Sequence, residues 1–70
     1  MRIVHLKRVR FIQRRKALGL TQENLADALH VERSTVARWE RAETEPQPWL
    51  RPRLAALLKV SAAELESLLA

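Results

Sequence analysis

The stretch Arg33-Ser34-Thr35-Val36-Ala37-Arg38-Trp39-Glu40-Arg41 holds the residues whose types and spacing suggest chemistry. At helical period, Val36, Trp39 and Glu40 fall on one side, and Arg33, Ala37 and Arg41 on another. Long guanidinium groups beside the short hydroxyls of Ser34 and Thr35 suit forked hydrogen bonds to O6 and N7 of guanine, each good pair contributing about 1–3 kcal/mol of base discrimination. Arg33 also lies at the positive end of the helix dipole, which costs a few tenths of a kcal/mol to about 1 unless an anion or base edge lies beyond it. Duplex DNA is the partner this pattern implies.

Other chemistries lack their parts. Cysteine is absent, so there is no thiol nucleophile, disulfide or thiolate metal site. His5 and His30 have no third ligand at metal spacing, so no metal is expected. Ser34 and Ser61 have no neighbouring general base, and a chain with one glycine has no glycine-rich phosphate loop. Neither catalysis nor a cofactor is expected.

The inward side of the arginine segment poses a separate problem, because Glu40 sits beside Trp39 and an unpaired buried carboxylate is very costly. Arg15 lies four residues after Phe11 and three before Leu18 on an apolar side of its own, so an Arg15–Glu40 ion pair is predicted.

The elements that must position these groups are short helices. Leu6 to Leu18 reads as helix one, with Phe11, Ile12 and Leu18 inward and Gly19 as a left-handed cap. Thr21 caps helix two, which carries Leu25, Ala26 and Leu29 and stops at His30; helix three runs from Arg33 to Arg41. Helix four starts near Trp49 with Leu50, Leu54, Leu57 and Leu58 at helical period, and Pro52 is tolerated in its first turn. Ser61-Ala62-Ala63-Glu64 reads as a capping box opening helix five, with Leu65, Leu68 and Leu69 inward. Residues 1–5 are expected to form an arm and residues 6–70 one domain, with no repeats. Trp39 is expected in the core. Trp49 is expected to plug the bundle, with a partner contact as the alternative.

Seventy residues, 47% of them apolar, allow one modest core and exclude a two-domain enzyme. The net charge of +5 favours a polyanionic partner. Arg2, Lys7, Arg8, Arg10, Arg14, Arg15 and Lys16 put more positive charge in residues 1–19 than the whole chain carries, leaving the remainder net acidic. A solvated helix face explains such a run equally well; the arginines of helix three tip the balance toward DNA. Apolar runs fall far short of the roughly 20 residues of a membrane span, and no signal-peptide pattern is present, so a cytoplasmic protein is expected.

The segments RRKALGLTQENLADALHVERSTVARWERAETEP and LAALLKVSAAELESLL resemble the Cro and phage-repressor type helix-turn-helix family, the XRE family, over about residues 8–69. The resemblance implies an all-α bundle of five helices whose second and third form the helix-turn-helix, the third lying in the major groove. It implies Arg33, Ser34 and Arg38 at base edges, Gln22 on a phosphate at the start of helix two, and Thr35 and Arg41 beside the backbone. Arg10 and Arg14 are expected on phosphates as well. The family's pairing of a helix-one arginine with the glutamate ending the recognition helix falls on Arg15 and Glu40.

Three positions depart from the family. His30 stands where glycine is usual in the turn, at a cost of about 1 kcal/mol for positive φ. Ala42 replaces a glycine after the recognition helix. Glu32 replaces a Ser or Thr cap, where it could orient Arg33 or accept from cytosine N4.

The expected function is a sequence-specific DNA-binding transcriptional regulator, or the DNA-binding domain of one. It would act as a homodimer joined by helix five or the arm, with no small-molecule site in this chain. The alternatives are a protein-interaction module, such as an antitoxin or assembly factor built on the same bundle, and a basic domain peripheral to membranes.

Overall fold

In the computed structural model, which describes residues 7–70, four of the five helices end alike. The helices are α1 (Val9–Ala17), α2 (Gln22–Leu29), α3 (Arg33–Glu40), α4 (Arg51–Leu58) and α5 (Ala62–Leu69), with a 3-10 turn at Pro48–Leu50 leading into α4. After α1 to α4 come Gly19, His30, Ala42 and Lys59, all left-handed, with φ of 74°, 60°, 60° and 57°. In each case the next amide donates to the carbonyl five residues back: Leu20 to Arg15, Val31 to Ala26, Glu43 to Arg38 and Val60 to Ala55. That bond satisfies a carbonyl the helix leaves open and turns the chain sharply. Leu20, Val31 and Val60 then pack against the core. Ala42 therefore ends α3 as a glycine would, at the steric cost of a Cβ, and Lys59 does so without any glycine-like signal in the sequence.

Two helix starts are fixed by reciprocal side-chain bonds. Thr21 Oγ1 accepts from the Asn24 amide at 2.9 Å while Asn24 Oδ1 accepts from the Thr21 amide at 3.2 Å. Ser61 and Glu64 do the same at 3.1 and 2.8 Å. The Ser61 amide donating to the carboxylate, and after it the Ser61 hydroxyl alongside, hold the Glu64 carboxyl below the usual carboxylate range.

Phe11, Leu25, Val36, Leu54, Leu58 and Leu65 are completely enclosed, and Ala26, Leu29, Trp39, Leu50, Ala55, Leu68 and Leu69 complete the core. The expected inward positions on α2, α3 and α5 are buried, as are Leu50, Leu54 and Leu58, whereas Leu57 of α4 and Ile12 and Leu18 of helix one are only half-buried. Trp49 overturns the expectation: it is 73% exposed. Leu50 takes the inward place and begins the Leu50, Leu54, Leu58 row, so the 3-10 turn that aims Leu50 at the core turns its neighbour outward. Leu65, Leu68 and Leu69 are buried within their own bundle, which leaves α5 little apolar surface for a second copy.

Helix one begins at Val9; Leu6 and the expected arm lie outside the described residues. Arg8 supplies the reason for the late start, because its side chain runs into the core at 7% exposure instead of lying along a helix face. Its Nε donates to Leu69 O (2.9 Å) and its Nη1 to Trp39 O and Thr44 O (2.8 Å each). Its Nη2 donates to the Glu45 carboxylate at 2.8 Å. One guanidinium thus closes the ends of α3 and α5 and the loop after α3. Arg8 shares the inward side of helix one with Phe11 and Arg15 at spacings of three and seven, a signal present in the sequence but hidden by the basic run around it.

Candidate nucleic-acid interface

Helix α3 packs against α2 through Val36 and Trp39, and this fixes which side chains it turns outward. Arg33, Ser34, Arg38 and Arg41 are exposed, and Thr35 and Ala37 are half-buried. Ser34, Arg38 and Arg41 follow one another at spacings of four and three, so they share one stripe, with Arg33 beside it at the first turn. Glu32 starts the helix from an extended conformation, and its exposed side chain neither caps the helix nor bonds to Arg33.

The ion pair expected from spacing sits beneath this stripe. Arg15 Nε donates to Glu40 Oε2 and its Nη2 to Glu40 Oε1 at 3.3 Å, both residues being buried. Arg15 Nη1 donates to Leu20 O at 2.8 Å, so the guanidinium also closes the turn after α1. Gln22 Nε2 donates to Glu40 Oε1 at 2.8 Å, which leaves the amide oxygen of Gln22 pointing away; that oxygen accepts from Arg33 Nη1 at 3.2 Å. The result is a relay, Arg15 to Glu40 to Gln22 to Arg33, running from the core to the first turn of α3. The Gln22 dipole gives Arg33 part of the negative potential that its place on the helix dipole lacks.

The other candidates divide. Arg38 has no hydrogen-bond or ion-pair partner among the described residues. Arg41 pairs with Glu43 through two bonds, of 2.8 and 3.2 Å. Their hydrogen bond is the main cause of a raised Arg41 and a lowered Glu43, both facing solvent.

Arg10 and Arg14 are not brought to this surface. Arg10 Nη1 donates to Ser67 Oγ at 2.9 Å, and Arg14 donates to Leu58 O at 2.8 Å and Lys59 O at 3.2 Å. Both lie in a groove with Lys59, Glu64 and Ser67, on α4 and α5 instead of on α2 and α3. The bundle itself engages both: the carbonyls at the end of α4 need donors, and Arg14 supplies them.

The family model for the helix-turn-helix domain matches residues 11–65, spanning α1 through the start of α5. The chain belongs to the Cro/C1-type, or XRE, helix-turn-helix family. A search of curated proteins returns no match. Helices α2 and α3 are the helix-turn-helix pair, joined at left-handed His30, and the chain is a DNA-binding regulatory domain of the XRE type, a family of regulators and not of enzymes. No described helix is long and apolar enough to cross a membrane, and the described residues contain no cluster of three or more metal-ligating side chains.

Proposed function

We propose that this domain recognises a specific DNA sequence, with α3 in the major groove and Arg33, Ser34 and Arg38 at base edges. Gln22 and Thr35 approach phosphates at its margins, and Arg41 contacts the backbone once it parts from Glu43. The observation that carries the reading is the arrangement on α3: an arginine tethered through Gln22 to the buried Glu40, beside a second arginine without a protein partner among the described residues. A tethered guanidinium has lost part of its rotamer freedom before binding, which lowers the ordering cost of a base contact. Arg10 and Arg14 are left out of this interface.

The test is selection of bound sequences from a random duplex library, followed by titration of the selected and scrambled duplexes at several salt concentrations. A selected site bound about a thousandfold or more tighter than scrambled DNA supports the proposal. Equal affinity for all sequences refutes it. Specific sites in this class are usually read by two copies about one helical turn apart, so a two-fold repeat in the selected site is expected.

One observation favours the alternative of a protein-interaction module, the 73% exposure of Trp49, since exposed tryptophans are frequent anchors of protein contacts. Trp49→Ala separates the readings: unchanged DNA affinity together with loss of a stoichiometric protein partner after nuclease treatment favours the module.

A further inference from the structure

Two charged rows lie off the outward stripe of α3, one of them reaching its margin where Glu23 lines a pocket with Gln22 and Arg33, and each lacks what the other offers. On α2, Glu23 and Asp27 are exposed one helical turn apart, and neither has a basic partner among the described residues. The exposed positions beside them are the short Asn24 and Ala28, which let another helix approach closely. Arg10 and Arg14 lie one turn apart on α1, in the groove completed by Lys59 and Ser67. Their guanidinium groups are oriented by the bonds to Ser67 Oγ and to Leu58 O and Lys59 O, yet each keeps N–H donors that those bonds do not use. The groove's one carboxylate, Glu64, already accepts the Ser61 amide, so the groove remains net positive.

Residues four apart on a helix place their Cβ atoms about 6 Å from each other, so the acidic pair and the arginine pair have matching repeats. We propose that the acidic row of α2 docks in the Arg10, Arg14 and Lys59 groove of a second copy of this chain. The two patches share no element, so the contact joins unlike surfaces, and in the head-to-tail form proposed here one copy holds a neighbour on each side. Pairing between exposed charges on short helices is weak and transient, so the association is expected at the upper end of the protein concentration range. The net charge of +5 opposes approach from a distance, and physiological salt screens that repulsion over about 8 Å while sparing pairs in contact.

The experiment needs no DNA, so its outcome is separate from that of the recognition proposal. Sedimentation of the wild-type chain over a wide concentration range, at about 0.15 M and about 1 M salt, reads the association and its screening. Two neutral variants dissect it: E23Q/D27N keeps the groove and loses the row, whereas R10Q/K59Q keeps the row and weakens the groove. Arg14 stays untouched because it caps α4. The expected result is concentration-dependent association of the wild type, weaker by about tenfold in high salt and in each variant alone. An equimolar mixture of the two variants regains one contact and forms a pair that grows no further. A wild type that stays monomeric, variants that associate like the wild type, or a mixture that fails to pair overturns the proposal. Far-ultraviolet circular dichroism of each variant verifies the fold.

Discussion

Helices α1 and α3 are both rich in arginine and turn it in opposite directions. Around α1, Arg8 closes the ends of α3 and α5, Arg14 closes the end of α4, and Arg15 meets Glu40 and the turn after its own helix. On α3, Arg33 and Arg38 point to solvent. The difference shows that a run of positive charge in a sequence marks no contact surface by itself. Five helices in a small bundle leave many terminal carbonyls open, and a long side chain with five donors is well suited to reach them. The densest basic segment of this chain is therefore largely scaffold, while the sparser arginines of α3 carry the proposed recognition.

The contrast is most sharply testable at Arg15. Arg15→Ala leaves Glu40 as an unpaired buried carboxylate, and denaturant unfolding is expected to show a loss of about 3–5 kcal/mol. A loss under 1 kcal/mol would break the distinction between scaffold and surface arginines.

Arg38→Ala is the counterpart on α3. It is expected to cost about 1–3 kcal/mol of discrimination at one base pair of the selected site while leaving the unfolding midpoint nearly unchanged. Equal weakening of all duplexes would assign Arg38 to the backbone.

Arg14→Ala should lower stability by about 1–2 kcal/mol and leave the salt dependence of DNA binding unaltered. A slope reduced by about one unit would instead restore Arg14 to the phosphates. Ala42→Gly relieves a left-handed Cβ, and thermal melting should show a gain of about 1 kcal/mol without change in sequence preference.

The smallest effect concerns acid. The Glu64 carboxyl lies below its unfolded value, so its contribution is complete above that unfolded value and is lost as pH falls through the lowered one. Urea midpoints measured against pH should show a shallower acid limb for Glu64→Gln, which keeps the capping geometry without the ionisation.

The helix plan was legible because its punctuation is local: Gly19, Thr21, Pro52 and Ser61 each act within a turn of where they stand. The Arg15–Glu40 pair was legible because burial of a charge demands an opposite charge at matching depth. Arg8, Arg10 and Arg14 were not, since their partners are carbonyls, one hydroxyl and the Glu45 carboxylate supplied by distant helix ends and a loop, and sequence spacing on α1 does not reveal where those arrive. Trp49 was misplaced because a large aromatic at a helix start suggests burial, whereas its spacing of four from the exposed Arg53 puts it outside the Leu50, Leu54, Leu58 row.

The relay from Arg15 through Glu40 and Gln22 to Arg33 also constrains how such a domain diversifies. A change at Gln22 alters the outward-facing amide and at the same time removes a donor from a buried carboxylate, so retargeting through that position trades against folding. Ser34 and Arg38 carry no such tie. New binding preferences should accumulate there first, with Gln22 held back until a compensating change inside the bundle has already occurred.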